Sequence, residues 1–349
     1  MLKVALRIAL LLMPTLTPGV AVGADGQFEP TGIGFFDHIE PSFLLFGDVY
    51  WIPEHHLEDW RDQSGWWSRR IYATLDFKDF GLGEKTVMRL RLELNQSDDF
   101  DEVSYKAKFK DWYLEFDAGG HAIQVGHSST VTFDLIEKVW GYRWFERTPL
   151  DVQGVPSRQT GIAARGMLTG DGRWRYRALA GFGDDLGSDS DDTGKIQAAV
   201  SYVPSEQWLF DFYLDYLDSD AGVDCAYSMQ AFAAWTGADQ RAGLQWFLRR
   251  AESSDTLVHL ASAYYVRDYR NVSLVGRVDR LFAPSFKGNG ISYIPFDPTA
   301  RATYLLAGVD FPVHPNVNLM PNVKTIIYDD QGDRPDNDLI VGLTLNVEL

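Results

Sequence analysis

Arginine at alternate positions is the feature of this sequence that points most directly to chemistry. Arg173, Arg175 and Arg177 occupy every second position of one short segment. A guanidinium group stays charged at physiological pH and offers a planar fork of donors that matches a carboxylate or a phosphate. The run is therefore a candidate anion-binding ladder. The alternative, that these arginines pair with carboxylates and brace the structure, stays open.

The segments that carry such residues alternate between apolar and polar side chains. From Trp208 to Tyr216 the even positions are apolar or aromatic, whereas Asp211 and Asp215 lie at odd positions. A period of two predicts a strand with one apolar and one hydrated face. Sixteen segments of this kind are predicted, at 43–52, 66–77, 85–96, 105–117, 121–127, 159–169, 173–183, 193–203, 207–218, 224–236, 239–250, 255–268, 270–282, 301–312, 315–329 and 337–349.

The length and ends of these segments favour a membrane barrel over a soluble sandwich or solenoid. The apolar faces run over five or six alternate positions, more than most soluble strands need. Aromatic residues cluster near segment ends, as at Trp66-Trp67 and Tyr264-Tyr265, where membrane barrels carry interfacial girdles. We therefore predict an all-β fold, a transmembrane antiparallel β-barrel of about 16 strands with a long loop folded into the lumen.

If the apolar faces contact lipid, the opposite faces line the lumen. The charges nearest to a narrow lumen dominate its field, so an arginine-rich wall would favour anions. Glu93, Asp211 and Asp215 fall on the same inward faces. The arginines predicted to line the pore are Arg89, Arg91, Arg173, Arg175, Arg177, Arg241 and Arg249.

The long segment 128–158 is the candidate for the loop inside the lumen. It combines five aromatic residues with many charges, and an exposed surface loop would rarely hold so many aromatics. Folded inward, the aromatics would pack on the wall while the charges narrow the passage. The alternative is a loop that packs on a neighbouring subunit or extends the wall. The candidate constriction residues are Glu137, Lys138, Arg143, Glu146, Arg147 and Arg158.

Other polar motifs are weak as catalytic or metal sites. His55 and His56 are adjacent, so on a strand they would face opposite sides and make a poor metal pair. The Asp-rich segment 184–192 lacks the spacing of a calcium loop and is predicted to be a solvated external loop or one that meets lipopolysaccharide through divalent ions. Gly126-His127-Ser128 lacks the second glycine of a nucleophile elbow. The sequence has no prominent lysine-rich cluster of the kind that would mark a phosphate-binding site. We expect no catalytic residue, no metal site and no cofactor.

Composition limits the class of protein. The 349 residues carry 32 Lys+Arg against 49 Asp+Glu, a net charge of −17 that argues against a nucleic-acid partner. The single cysteine excludes an intrachain disulfide. A mean hydropathy of −0.20 excludes a bundle of transmembrane helices but is compatible with a barrel, in which only alternate residues face lipid.

The N-terminus has the three parts of an export signal. Lys3 and Arg7 precede an apolar run at 8–13, and small residues follow at Val22-Gly23-Ala24. This pattern predicts a signal peptide over residues 1–24, followed by a single barrel domain over 25–349. An ordinary N-terminal helix is disfavoured by Pro14 and Pro18.

Residues 109–169 contain a set of short elements: Asp111-Trp112-Tyr113-Leu114, Ile123-Gln124-Val125-Gly126, Phe133, Phe145-Glu146-Arg147-Thr148 and Pro156-Ser157-Arg158-Gln159-Thr160-Gly161-Ile162. With these elements the segment resembles the phosphate-selective porin O and P family of Gram-negative outer membranes. Weaker matches lie at 276–279, 306–310 and 316–322. The resemblance implies a sixteen-stranded barrel, commonly a homotrimer, that passes small solutes and often anions.

These observations together predict a porin for passive diffusion of small hydrophilic solutes or ions, possibly anions such as phosphate, across the outer membrane of a Gram-negative bacterium. The expected partners are outer-membrane lipid, lipopolysaccharide, the solutes themselves and further copies of the chain. Two alternatives remain. One is a barrel with a specific export or adhesion role, and the less favoured one is a barrel enzyme.

Overall fold

The computed structural model describes residues 38–78, 85–96, 104–182, 193–219, 225–251, 257–329 and 335–349. It also contains a pair of two-residue strands, Ala21–Val22 and Phe28–Glu29. The predicted export signal lies outside the described residues except for the first of these strands. The Asp-rich segment 184–192 lies outside them altogether.

The polypeptide forms sixteen antiparallel strands that close into one barrel. Each strand pairs with the next along the chain. The last strand closes the barrel by pairing with the first, with Val341 opposite Trp51 and Leu345 opposite Gly47. The strands are β1 (Ile39–Glu54), β2 (Ser64–Lys78), β3 (Val87–Gln96), β4 (Tyr105–Asp117), β5 (Ala122–Ser129), β6 (Arg158–Met167), β7 (Trp174–Phe182), β8 (Thr193–Ser205), β9 (Trp208–Ser219), β10 (Ala226–Thr236), β11 (Gln240–Ala251), β12 (Leu257–Tyr269), β13 (Val272–Leu281), β14 (Ala302–His314), β15 (Val317–Tyr328) and β16 (Asp338–Glu348). The predicted fold is confirmed.

Alternate residues separate an apolar outer surface from a polar interior. On β9 the outward residues Phe210 and Phe212 are exposed, whereas Asp211 and Asp215 are buried inside the barrel. This is the arrangement that the period-two pattern predicts. Because the apolar side chains face outward, the barrel presents an aliphatic and aromatic band to its surroundings.

The two ends of the barrel differ in the length of their connections. One end, which we call the short-turn end, has tight connections such as 206–207, 237–239, 270–271 and 315–316. The opposite end, the long-loop end, carries the connections 55–63, 130–157, 282–301 and 329–337 together with those that follow β3, β7, β9 and β11. Two helices, α1 (Val131–Trp140) and α2 (Pro149–Val152), lie in the connection 130–157. Among the described residues, no helix is long and apolar enough to cross a membrane.

Candidate functional site: the barrel lumen and its inner loop

Residues 130–157, here called the inner loop, leave the wall at β5 and return at β6. The neck of the loop is closed by hydrogen bonds from the Thr130 backbone to the Ser157 carbonyl and from Thr130 Oγ1 to the Pro156 carbonyl, both 3.1 Å. Helix α1 follows at once, and its first N–H, that of Val131, donates to Oε1 of Gln197 on β8 at 3.1 Å. The inner loop therefore starts inside the barrel, attached to its inner surface.

Helix α1 ends at Trp140 and is capped by Gly141, which has a φ of +71°. A left-handed residue with no Cβ at this position turns the chain sharply at low cost. After this turn the chain runs on toward the opposite wall. The Trp140 indole N–H donates to the Glu146 carbonyl at 3.0 Å, which holds the turn closed.

Glu146 attaches the inner loop to the far wall. Its carboxylate accepts hydrogen bonds from Lys324 Nζ at 3.0 Å and from the hydroxyls of Tyr304 at 2.8 Å and Tyr293 at 3.2 Å. Burial alone would raise the pKa of Glu146, but Lys324, Arg69 and other nearby cations hold it well below its usual range. Glu146 is therefore a buried carboxylate that stays ionised because it is surrounded by donors.

Backbone carbonyls of the inner loop supply further attachments. Arg69 on β2 donates to the Phe145 carbonyl at 2.8 Å and also to that of Trp144. Arg277 on β13 donates to the Arg147 carbonyl at 2.7 Å. Since β13 lies on the opposite side of the barrel from β5 and β6, where the inner loop leaves and rejoins the wall, the loop spans the lumen.

Apolar packing fills the lumen beside β10–β16. Trp140, Tyr142 and Phe145 of the inner loop form one buried cluster with wall residues such as Tyr264 and with residues of the connection 282–301. Trp140 meets Tyr264 edge to face, with ring centroids 5.0 Å apart. This side of the lumen is therefore closed by a hydrophobic core, and polar space is left against the other side.

A polar cavity of about 940 Å³ lies between α1 and strands β2–β9. Asp134, Glu137 and Lys138 share one face of α1, at helical spacings of three and four residues, and line this cavity. The opposite face of α1 carries Thr132 and Ile136, which are buried. The charged residues that line the cavity are Asp76, Lys78, Arg89, Arg91, Asp111, Glu115, Asp117, Asp134, Glu137, Lys138, Arg158, Arg165, Arg175 and Arg177.

Most of the cavity arginines named from the sequence are paired with carboxylates. Arg89 makes a two-pronged contact with Asp76 at 2.7 and 2.5 Å. Arg91 lies 3.1 Å from Asp111, which also binds Arg158 at 2.5 Å. The same pairing with carboxylates continues on β7.

Arg177 on β7 lies 3.1 Å from Asp211. Arg175 donates to the Gly172 carbonyl at 3.1 Å and has no carboxylate partner among the described residues. Arg173 does not belong to the strand, which starts at Trp174; it lies in the preceding turn near Asp171, outside the cavity lining. The ladder of three therefore reduces to two cavity arginines, because the turn takes the first.

The two predicted pore arginines of β11 lie away from this cavity. Arg241 reaches the Trp140 carbonyl at 3.5 Å, and its guanidinium lies 5.1 Å from the centre of the Tyr142 ring. Arg249 shares the inward face of β11 with Phe247, which packs against the inner loop. Arg241 thus holds the inner loop rather than lining the cavity.

The six predicted constriction residues divide into three groups. Glu137 and Lys138 line the cavity, and Arg158 belongs to β6, where it pairs with Asp111. Arg143 bridges Glu137 at 3.3 Å and Asp151 at 2.9 Å within the loop. Glu146 and Arg147 are buried on the far side, where Arg147 stacks 4.6 Å from the Tyr293 ring centre.

Sequence reasoning missed a basic column near the long-loop end of β4. Lys108 and Lys110 lie 3.6 and 3.3 Å from the carboxylate of buried Glu93, which Arg70 approaches at 3.4 Å. A register shift opposite Arg91 and Leu92 lets both Lys110 and Asp111 face inward. The sequence signal for these residues is lysine at every second position, at Lys106, Lys108 and Lys110.

The structure also shows where the two histidine motifs lie, His127 beside Ser128 and the pair His55-His56. The Nδ1 atom of His127 lies 3.0 Å from Thr160 Oγ1. The prediction that His55 and His56 face opposite sides is wrong. Because β1 ends at Glu54, the two rings leave the strand geometry and stack with centroids 4.5 Å apart.

Comparison with known proteins gives fold-level likenesses. No family model and no curated protein matches the sequence. Among solved structures, an anion-selective porin from Comamonas acidovorans is 11% identical with a TM-score of 0.62, over 89% of this chain and 99% of that one. The outer-membrane channel DcaP of Acinetobacter baumannii is 9% identical with a TM-score of 0.60, over 89% and 97%. OmpT of Vibrio cholerae in its trimer form is 10% identical with a TM-score of 0.59, over 89% and 99%. The chain shares the sixteen-stranded porin fold.

Proposed function

We propose that this protein is an outer-membrane channel through which small hydrophilic solutes or ions diffuse passively. The observation that carries the proposal is the inner loop, which crosses the lumen and leaves a charged cavity against one wall. The apolar outer band suits a bilayer, and the predicted export signal would deliver the chain across the inner membrane. Lipid and lipopolysaccharide are then its surroundings.

Anions are the solutes that the cavity favours. Eight basic residues line it against six acidic ones, although acidic residues outnumber basic ones in the chain as a whole. Lys138 and Arg175 have no carboxylate partner among the described residues, so their charge is left for a solute. Since nearby charges dominate the field of a narrow lumen, the passage is expected to prefer anions.

The resemblance to phosphate-selective porins supports the same preference. Two of its matching residues, Asp111 and Arg158, meet across the cavity wall where the inner loop returns to β6. A homotrimer is the assembly that we propose, on the resemblance and on the trimer form of one structural neighbour. Phosphate itself is one candidate solute among small anions.

The experiment is a planar-bilayer recording of the refolded barrel, with the reversal potential measured under a KCl gradient. Stable conductance steps with an anion-selective potential are expected. A cation-selective potential would keep the channel and refute the anion preference. A folded barrel that gives no steps would refute the channel and favour an adhesive or export role.

A further inference from the structure

Three side chains with metal-binding chemistry converge at the long-loop end. His55 and His56 follow β1 directly, and Asp338 is the first residue of β16. Their side chains are 0%, 2% and 1% exposed. One ligand atom from each of the three lies within 4.8 Å of the others. This cluster is distinct from the cavity beside α1, because none of its residues lines that cavity.

We propose that His55, His56 and Asp338 bind one divalent transition-metal ion of the zinc class. The Nδ1 atom of His56 lies 2.9 Å from Oδ1 of Asp338, and that of His55 lies 3.9 Å from the same oxygen. Two imidazole nitrogens and one carboxylate oxygen form a donor set that Zn²⁺ takes, with a fourth position left for water. Small side-chain movements would bring these atoms to bonding distance.

The surroundings of the cluster hold two of the three ligands in place. The Nε2 atom of His56 lies 3.0 Å from Oδ1 of Asn289, so this ring can donate a proton there while Nδ1 faces Asp338. The Tyr328 hydroxyl donates to Oδ2 of Asp338 at 2.7 Å. Hydrogen bonds of this kind from outer groups fix the orientation of metal-bound histidine and carboxylate.

The third ligand, His55, has incomplete hydrogen bonding. Its ring is stacked between His56 and Trp60, with centroids 4.5 and 5.2 Å away. The Leu57 backbone N–H donates to its Nδ1 at 3.0 Å, but its buried Nε2 has no partner among the described residues. An ion at Nδ1 of His55 would displace the Leu57 N–H from that lone pair, while Nε2 keeps its proton. At His56 the ion would replace the proton between the imidazole and Asp338.

A bound ion would join separate parts of the long-loop end. His55 and His56 open the connection 55–63, Asn289 lies in the connection 282–301, and Asp338 follows the connection 329–337. The connection 282–301 also supplies Tyr293 to the buried cluster that packs on the inner loop. The ion would therefore fix the mouth of the barrel on the side where the lumen is filled.

The test is a metal titration of the refolded barrel, produced without a polyhistidine tag. Co²⁺ is the spectroscopic probe, since its visible absorption reports four-coordinate nitrogen and oxygen ligation, and Zn²⁺ is then added as a competitor. One equivalent of Co²⁺ with visible absorption, displaced by Zn²⁺, is expected. The absence of any saturable Co²⁺ or Zn²⁺ site on the folded barrel would overturn the proposal.

Matched variants locate the site. His55→Gln, His56→Gln and Asp338→Asn are each expected to weaken Zn²⁺ binding by about 100-fold or more, and Asn289→Ala by about 10-fold. His314→Gln, in an exposed position at the short-turn end, is the control and should bind as the parent does. If Asp338→Asn fails to fold because Tyr328 loses its acceptor, His55→Gln carries the test. Unchanged binding in His55→Gln and His56→Gln would refute the assignment.

Discussion

The carboxylate of Glu146 lies 3.0 Å from the ammonium group of Lys324 on β15, and both side chains are buried inside the barrel. This ion pair joins the middle of the inner loop to the wall opposite its origin. The hydroxyls of Tyr304 and Tyr293 complete the hydrogen bonding of the carboxylate. The position of the loop in the lumen therefore depends on a buried charge with well-matched partners.

Replacement of Glu146 by Gln should loosen the inner loop. The change leaves the Lys324 charge buried without its partner, which costs about 3–5 kcal/mol. Urea unfolding of the refolded barrel in detergent should report this loss, and bilayer recordings should show noisier steps. Glu206→Gln, at an exposed position in a short turn, is the matched control. If Glu146→Gln has the current noise and the unfolding free energy of the parent, the ion pair does not hold the loop.

The contribution of the Glu146–Lys324 pair to the unfolding free energy should decrease at acidic pH. The pKa of Glu146 is depressed in the folded barrel, so its contribution to stability is complete above its unfolded pKa of about 4.3 and falls as the pH drops below that value. The difference in unfolding free energy between the parent and Glu146→Gln should therefore be constant from neutral pH to about 5 and shrink below about 4. Urea midpoints across this range measure it. A difference that grows on acidification would contradict the assigned direction.

Lys138 and Arg175, the cavity cations with no carboxylate partner among the described residues, should control ion selectivity. One unit charge about 4 Å from an ion contributes about 1 kcal/mol in water, or roughly a fivefold change in local concentration. Lys138→Gln and Arg175→Gln should therefore shift the reversal potential under a KCl gradient toward cations. Arg173→Gln, in the turn outside the cavity lining, should leave the potential unchanged. Equal shifts in all three variants would mean that position relative to the cavity does not matter.

Packing on the filled side of the lumen can be tested at Trp140. Its side chain is buried against Tyr264, and the Arg277 guanidinium lies 5.1 Å from its ring centre. Trp140→Ala should cost about 3–5 kcal/mol because it removes a large buried side chain. Urea unfolding measures the loss. Trp208→Ala, an exposed outward residue of β9, should cost much less in detergent, and equal losses would refute the difference in burial.

The strands could be predicted because each one shows the period-two alternation within its own sequence. On β9 the alternation of Phe210, Asp211 and Phe212 reports which face is buried without knowledge of any neighbour. The inner loop was also predictable, since its aromatics need a buried location. The sequence did not show which of its charges would face the cavity, because Glu146 and Glu137 look alike until the partners on the wall are known.

The errors have local causes. The period-two pattern predicts Arg173 on a strand because the pattern extends into the turn that precedes β7. The prediction for His55 and His56 uses strand geometry, which stops one residue earlier, at Glu54. The sequence does not indicate that Lys110 faces inward, because the register shift that turns it depends on pairing with β3. The first two cases depend on where a strand begins or ends, and the third depends on a contact between segments distant in sequence.

The central claim, that solutes pass between α1 and the wall formed by β2–β9, is tested most directly at Lys138. In a Cys225→Ser background, Lys138→Cys is recorded in a planar bilayer before and after modification with a bulky charged thiol reagent. The single-channel conductance should fall on modification, whereas Arg173→Cys, outside the cavity lining, should show no change. An unchanged conductance after complete modification of Lys138→Cys would place the passage elsewhere and contradict the account.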